Sequence, residues 1–97
     1  MTQWKIIFSH KAAKQAEKLK QSTLSVLRLL TEDLTQKGPL LITWPNYGKL
    51  YGRKNEYKWH CHLSKGRPTY VCCWKLINNQ KRTIEIYYVG THENAPY

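Results

Sequence analysis

From Glu56 onward the chain changes to a period of two, with Tyr57, Trp59, Cys61 and Leu63 alternating against Lys58, His60 and His62. Successive side chains of a strand point to opposite faces, so this run predicts a strand with one apolar face and one cationic, histidine-bearing face. Ser64-Lys65-Gly66-Arg67-Pro68 reads as a turn, Thr69 to Ile77 as a second strand, Asn78-Asn79-Gln80-Lys81 as another turn, and Arg82 to Val89 as a third strand. The C-terminal half is therefore expected to be a three-stranded meander that Gly90 ends, with Thr91 to Tyr97 as a short polar tail.

The N-terminal half has a different rhythm. Trp4 to Phe8 is a β-prone run, and Ser9 is placed to cap a helix over His10 to Gln21. Ala12, Ala13, Ala16 and Leu19 give that helix only a thin apolar stripe, which implies a peripheral position. From Ser22 or Thr23 a second helix carries a wider face of Leu24, Val26, Leu27, Leu29, Leu30 and Leu34, and Gly38-Pro39 stops it. Leu40 to Gly48 has no settled period and reads as an ordered crossover loop. The order strand, helix, helix, three strands predicts an α+β fold: a small, mainly antiparallel sheet with both helices packed on one face and the other face open. The first strand has no neighbour close enough for a tight hairpin, so it is expected to pair across the sheet after the helical crossover. At 97 residues, the chain is expected to be a single domain spanning 1–97.

Sixteen Lys and Arg against six Asp and Glu give a net charge of +10, on a chain that is 41% hydrophobic. The hydrophobic share suffices for a core, and the charge points to a polyanionic or acidic partner. Nine of the sixteen cations lie between Lys49 and Arg82, where Glu56 is the single acid. Lys49, Arg53, Lys54, Lys58, Lys65 and Lys75 are the candidate RNA or phosphate contacts. Tyr47, Tyr51, Tyr57, Trp59, Tyr70 and Trp74 are interleaved with them, as base stacking beside phosphate attraction requires. No apolar run approaches the roughly 18 residues of a membrane span, and no signal peptide is legible at Met1 to Phe8, so a cytoplasmic protein without a membrane partner is expected. Cys61, Cys72 and Cys73 are odd in number and form no Cys-x-x-Cys pair, which predicts reduced structural thiols.

His60 and His62, two apart on a strand, share a face with Lys58. Imidazoles near their ordinary pKa of about 6.5 can give or take a proton at neutral pH, while neighbouring cations stabilise phosphate charge. RNA cleavage needs both: a base for the 2′-hydroxyl, cations for the phosphorane, and an acid for the departing 5′ oxygen. His92 and Tyr97, just beyond the last strand, are candidates for the acid or for substrate stacking. Arg67, between Gly66 and Pro68, suits phosphate recognition through its two-pronged guanidinium. A zinc reading of His60 and His62 with Cys61 or Cys72 is disfavoured, since Cys61 should point away from both histidines. No metal or cofactor is expected. No Gly-rich phosphate loop, paired acidic metal site or Ser/Cys nucleophile motif supports a kinase, NTPase, two-metal nuclease or protease.

The strand-helix-helix start, Lys49-Leu50-x-Gly52, Tyr57-Lys58-Trp59-His60-Cys61-His62-Leu63, Gly66-Arg67-Pro68-Thr69-Tyr70-Val71 and the ending Tyr88 to Tyr97 resemble the RelE/ParE superfamily of bacterial type II toxin–antitoxin toxins. The resemblance implies a microbial-RNase-like fold. It also implies a ribosome-dependent endoribonuclease, an mRNA interferase that cuts translated mRNA in the A site, represses translation and is silenced in a heteromeric complex with a cognate acidic antitoxin. Members of the RelE type carry Lys and Arg on the central strands with Arg and Tyr near the C-terminus, and relatives similar to YafQ use histidines. By that correspondence Lys58 and His60 fall at a pair of strand lysines, His62 matches the Cys-His-hydrophobic element of the YafQ type, Arg67 falls near a strand arginine, and His92 and Tyr97 take the C-terminal positions. The assignment that results is His62 or His60 as base, His92 as acid or leaving-group stabiliser, Lys58 and Arg67 on the phosphate, and Tyr97 near a base or ribose. The competing readings are a ParE-like inhibitor of DNA gyrase, which needs no acid–base residues on its sheet, and a non-catalytic RNA-binding module.

Overall fold

Ser9 separates the first two elements as its sequence context predicts. Its backbone is extended and its hydroxyl accepts the Ala12 N–H at 3.0 Å, capping helix α1 (His10–Glu17) directly after strand β1 (Lys5–Phe8). The computed structural model describes residues 3–50 and 56–97 of the chain. Helix α1 buries Ala12 alone, in keeping with its thin stripe, and ends four residues before the expected Gln21. There Lys18 and Leu19 donate to the carbonyls of Gln15 and Ala16, three residues back, which tightens the last turn and closes the helix. Gln21 instead opens helix α2 (Gln21–Lys37), which buries Thr23, Leu27, Leu30 and Leu34.

Gly38 closes α2 with φ +84° and its N–H on the Leu34 carbonyl at 2.9 Å. A side chain there would be strained by that φ, and its Cβ would lie 2.9 Å from the indole of Trp4. Gly38→Ala is therefore expected to lower stability by about 1 to 2 kcal/mol, read as a lower urea midpoint at an unchanged slope. An unchanged midpoint would show that Trp4 moves aside without cost.

Among the described residues the sheet has five strands in the order β1-β5-β4-β3-β2, comprising β2 (Gly48–Leu50), β3 (Lys58–His62), β4 (Tyr70–Asn78) and β5 (Thr83–Thr91) beside β1. The expected meander is β3-β4-β5, antiparallel throughout. β1 pairs across the sheet, parallel to β5, with Lys5 opposite Thr83 and Phe8 opposite Ile86. Where β1 ends, Gln15 of α1 accepts the Val89 N–H of β5 at 2.9 Å. The strand the periodicity does not reveal is β2, whose three residues, antiparallel to β3, are too few to display a period. The last strand also runs past the expected stop. Gly90 lies inside β5 opposite Val71, because the Tyr88 phenol occupies the place of a side chain at position 90, 2.6 Å from where its Cβ would sit. A 3₁₀ turn, His92–Asn94, follows.

The main core lies between the helices and one sheet face, where Leu27, Leu30 and Leu34 of α2 meet Trp59, Cys61, Cys72, Trp74, Ile84 and Ile86. A second, smaller cluster of Val71, Cys73 and Tyr88 lies on the opposite face. Between Cys73 and Trp74 the β4–β5 register slips: Tyr88 opposes Cys73 and Ile86 opposes Trp74, so Tyr87 is an extra residue. This bulge lets Tyr87 and Tyr88, adjacent in sequence, both join the open-face cluster. Among the described residues no helix is long and apolar enough to cross a membrane.

Candidate functional site

The open sheet face gathers three of the four histidines of the chain around the C-terminal tyrosine. His60 and His62 leave β3 on that face because Trp59 and Cys61, between and beside them, are drawn into the helix-side core. β5 delivers His92, held at the start of the 3₁₀ turn by its N–H on the Thr69 carbonyl at 2.8 Å. The His60 ring stacks on Tyr97 with centroids 4.6 Å apart and planes inclined by 28°. His62 meets His92 edge-on at 5.4 Å, and His92 meets Tyr97 edge-on at 5.9 Å.

Gly48 of β2 lies opposite His60, and a Cβ on it would come within 3.0 Å of His60 Nε2. The short β2 strand thus forms the floor under one imidazole, a contribution invisible in the sequence because β2 itself is. His60 Nδ1 is buried with no hydrogen-bond partner among the described residues.

Burial first, then the charges of His62 and His92, hold the His60 imidazole below its ordinary 6.5. Burial and then His92 do the same to His62. Both are thus neutral near pH 7 and able to accept a proton. The unfolded chain binds protons at these sites more readily than the folded one. Their contribution to stability is therefore fully present above about 6.5 and is lost as pH falls below it. The melting temperature is accordingly expected to drop between pH 7 and 5, and His60→Asn to flatten part of that slope. An identical slope in the variant would remove His60 from the effect.

Arg67 enters from the β3–β4 turn. Gly66 there has φ +113°, the Arg67–Pro68 peptide is cis, and Thr69 donates its hydroxyl to the Gly66 carbonyl at 2.6 Å. The turn and the 3₁₀ segment enclose a cleft of about 480 Å³ lined by Gly66, Arg67, Pro68, Thr69, Thr91, His92 and Glu93. Arg67 therefore shares a cleft with His92, which in turn touches His62 and Tyr97.

The candidate lysines divide. Lys58 and Lys75 are cross-strand partners on the open face, their ammonium groups 5.4 and 5.6 Å from the ring centre of Tyr87. Each also meets a carboxylate, Lys58 with Glu56 at 3.2 Å and Lys75 with Glu85 at 3.5 Å. Tyr87 was not singled out by sequence reasoning, since only the bulge turns it to this face. Its hydroxyl bonds with Cys73, and burial raises its pKa. Lys65 is exposed in the β3–β4 turn. Lys49 is not on this face: it opposes Trp59, and its ammonium lies 5.3 Å from the ring centre of Tyr57. Arg53 and Lys54 lie outside the described residues.

Cys61 points into the helix-side core, away from the histidines, and burial pushes its thiol up to about 12, leaving it a poor ligand and nucleophile. Among the described residues, no three or more His, Cys, Asp or Glu side chains are disposed to hold a metal ion.

This arrangement is a basic face on which three imidazoles and one phenol lie in ring contact, suited to moving protons at a phosphodiester. No protein-family model matches the chain, and no curated protein does. Solved structures do. A chain of the archaeal RelE–RelB complex from Pyrococcus horikoshii OT3 superposes with a TM-score of 0.76 at 16% identity, covering 98% of this chain and 100% of that one. The isolated E. coli RelE toxin gives a TM-score of 0.62 at 23% identity, over 96% of this chain and 88% of that one. A chain of the intact E. coli RelBE toxin–antitoxin complex gives 0.59 at 17% identity, over 94% and 99%. From β1 to the 3₁₀ turn, this chain therefore has the fold of the RelE toxins.

Proposed function

We propose that the chain is the toxin of a type II toxin–antitoxin module, an endoribonuclease that cuts translated mRNA in the ribosomal A site by metal-independent acid–base chemistry. The observation that carries this reading is the cluster of His60, His62, His92 and Tyr97 on the open face of a RelE-like sheet. His62 or His60, neutral at pH 7, takes the 2′-hydroxyl proton. The 2′ oxygen attacks phosphorus, and the bond from phosphorus to the 5′ oxygen breaks. His92 protonates that leaving oxygen, so the products carry a 2′,3′-cyclic phosphate and a 5′-hydroxyl. Arg67 and Lys58 stabilise the phosphorane, and Tyr97 stacks on a base or ribose. Lys65 and Lys75, with Arg53 and Lys54, add attraction for the RNA backbone.

Two of the similar structures are complexes with RelB, and the +10 charge of this chain suits an acidic antitoxin that forms a heteromeric complex with it in the cytoplasm. Inducing the wild-type chain in a bacterium, beside His62→Ala with His92→Ala, and mapping mRNA 5′ ends tests the reading. New ends on translated messages are expected with the wild type alone. Growth arrest with intact mRNA would replace the nuclease by a gyrase-type toxin, and normal growth with intact mRNA would leave an RNA-binding module.

A further inference from the structure

Among the described residues, the helix-side face of the sheet is not covered along its whole length. Helix α2 ends at Lys37, and beyond it Trp59 of β3 and Leu76 of β4 floor a groove of about 500 Å³ walled by Trp4, Leu40 and Tyr57. Leu40 is 61% exposed and Tyr57 48%. The indole of Trp4 is set against Gly38, so this wall is fixed by the same helix cap that ends α2.

Three cations ring the groove. Lys37 lines it, the Lys49 ammonium stands 5.3 Å from the Tyr57 ring centre, and the Arg82 guanidinium stands 5.5 Å from that of Trp4. Asp33, 3.7 Å from Lys37, is the carboxylate that meets one of them; Lys49 and Arg82 form no ion pair among the described residues. An apolar floor inside a cationic rim complements a peptide segment that alternates apolar anchors with carboxylates. RNA, by contrast, would bring phosphates to an apolar surface far better matched by the opposite, histidine-bearing face.

We infer that this groove is the docking site for an acidic, apolar-anchored segment of a partner polypeptide. The inference rests on the toxin reading, whose acidic antitoxin it places on the sheet face opposite the histidines. Because the two faces are distinct, a segment seated here leaves His62 and His92 open and must silence the chain by continuing around it or by blocking its entry to the ribosome.

The test uses the full chain carrying His62→Ala and His92→Ala, with ¹⁵N-labelled indoles, titrated with the polypeptide that an adjacent reading frame encodes. The Trp4 and Trp59 indole signals, which line the groove, are expected to move. Lys37→Glu with Arg82→Glu, and separately Leu40→Glu, are expected to weaken binding about tenfold or more. Lys14→Glu with Lys20→Glu, an equal change of charge on exposed positions elsewhere, should stay within about twofold. Equal weakening by both charge pairs, unmoved Trp4 and Trp59 signals, or no binding at all would overturn the groove. Shifts on concentrating the chain alone, or on adding a single-stranded RNA, would give it to a second copy or to RNA and overturn the inference too. The toxin reading stands or falls separately, on the mRNA ends.

Discussion

His62→Ala and His92→Ala are each expected to lower single-turnover cleavage of mRNA on programmed ribosomes by about 10² to 10⁴, the range in which one general acid or base contributes. The two rings meet at 5.4 Å and one raises the cost of protonating the other, so their effects should not multiply. The double variant should therefore lie within about tenfold of the slower single variant, as residues acting as a unit do. The wild-type rate should hold its plateau down to below pH 6.5, because burial keeps His60 and His62 neutral there. In His92→Ala the acid limb should move up toward 6.5, since a charge that depresses His62 has gone. Full activity in both single variants would take the chemistry off His62 and His92 and leave it to His60, Lys58 and Arg67. A plateau that begins only above pH 7 would exclude His60 and His62 as the base.

The face these predictions concern was legible in the sequence because alternation around Trp59 and Cys61 leaves Lys58, His60 and His62 no other side to occupy. The start of α1 and the end of α2 were equally readable, since Ser9 caps the one through its own hydroxyl and Gly38 stops the other through its positive φ. What escaped are features made by pairing rather than by local pattern. β2 has three residues and exists by virtue of its ladder with β3, so neither the floor of Gly48 under His60 nor the turning of Lys49 away from the histidines follows from the local sequence. The bulge at Tyr87 is a mismatch between two strands, and Tyr87-Tyr88 gives no sign that both rings share a face. Gly90 reads as a terminator by residue type, whereas its place is set by the Tyr88 phenol.

Trp74→Ala should be the most damaging single change to the fold. Trp74 is 0% exposed and the largest of the fully buried side chains, set in β4 within the cluster that α2 covers. Removing a buried aromatic side chain costs about 3 to 5 kcal/mol, through lost transfer free energy and the cavity left behind. The indole also donates to the Pro39 carbonyl at 3.1 Å, tying the end of α2 to the sheet, so the substitution strips that acceptor of its partner. A domain of this size has about 5 to 15 kcal/mol of total stability, and each kcal/mol shifts its melting temperature by about 4 to 8 °C. A fall of about 20 °C or more is expected by circular dichroism, with the variant partly unfolded at 37 °C if the parent lies at the lower end. Trp74→Phe, which keeps most of the volume but not the donor, separates the two contributions and should lose only about 1 to 2 kcal/mol. If the two variants were equally unstable, the bond to Pro39 would outweigh the packing, and the crossover loop rather than the leucines of α2 would be what fixes the helix layer to the sheet.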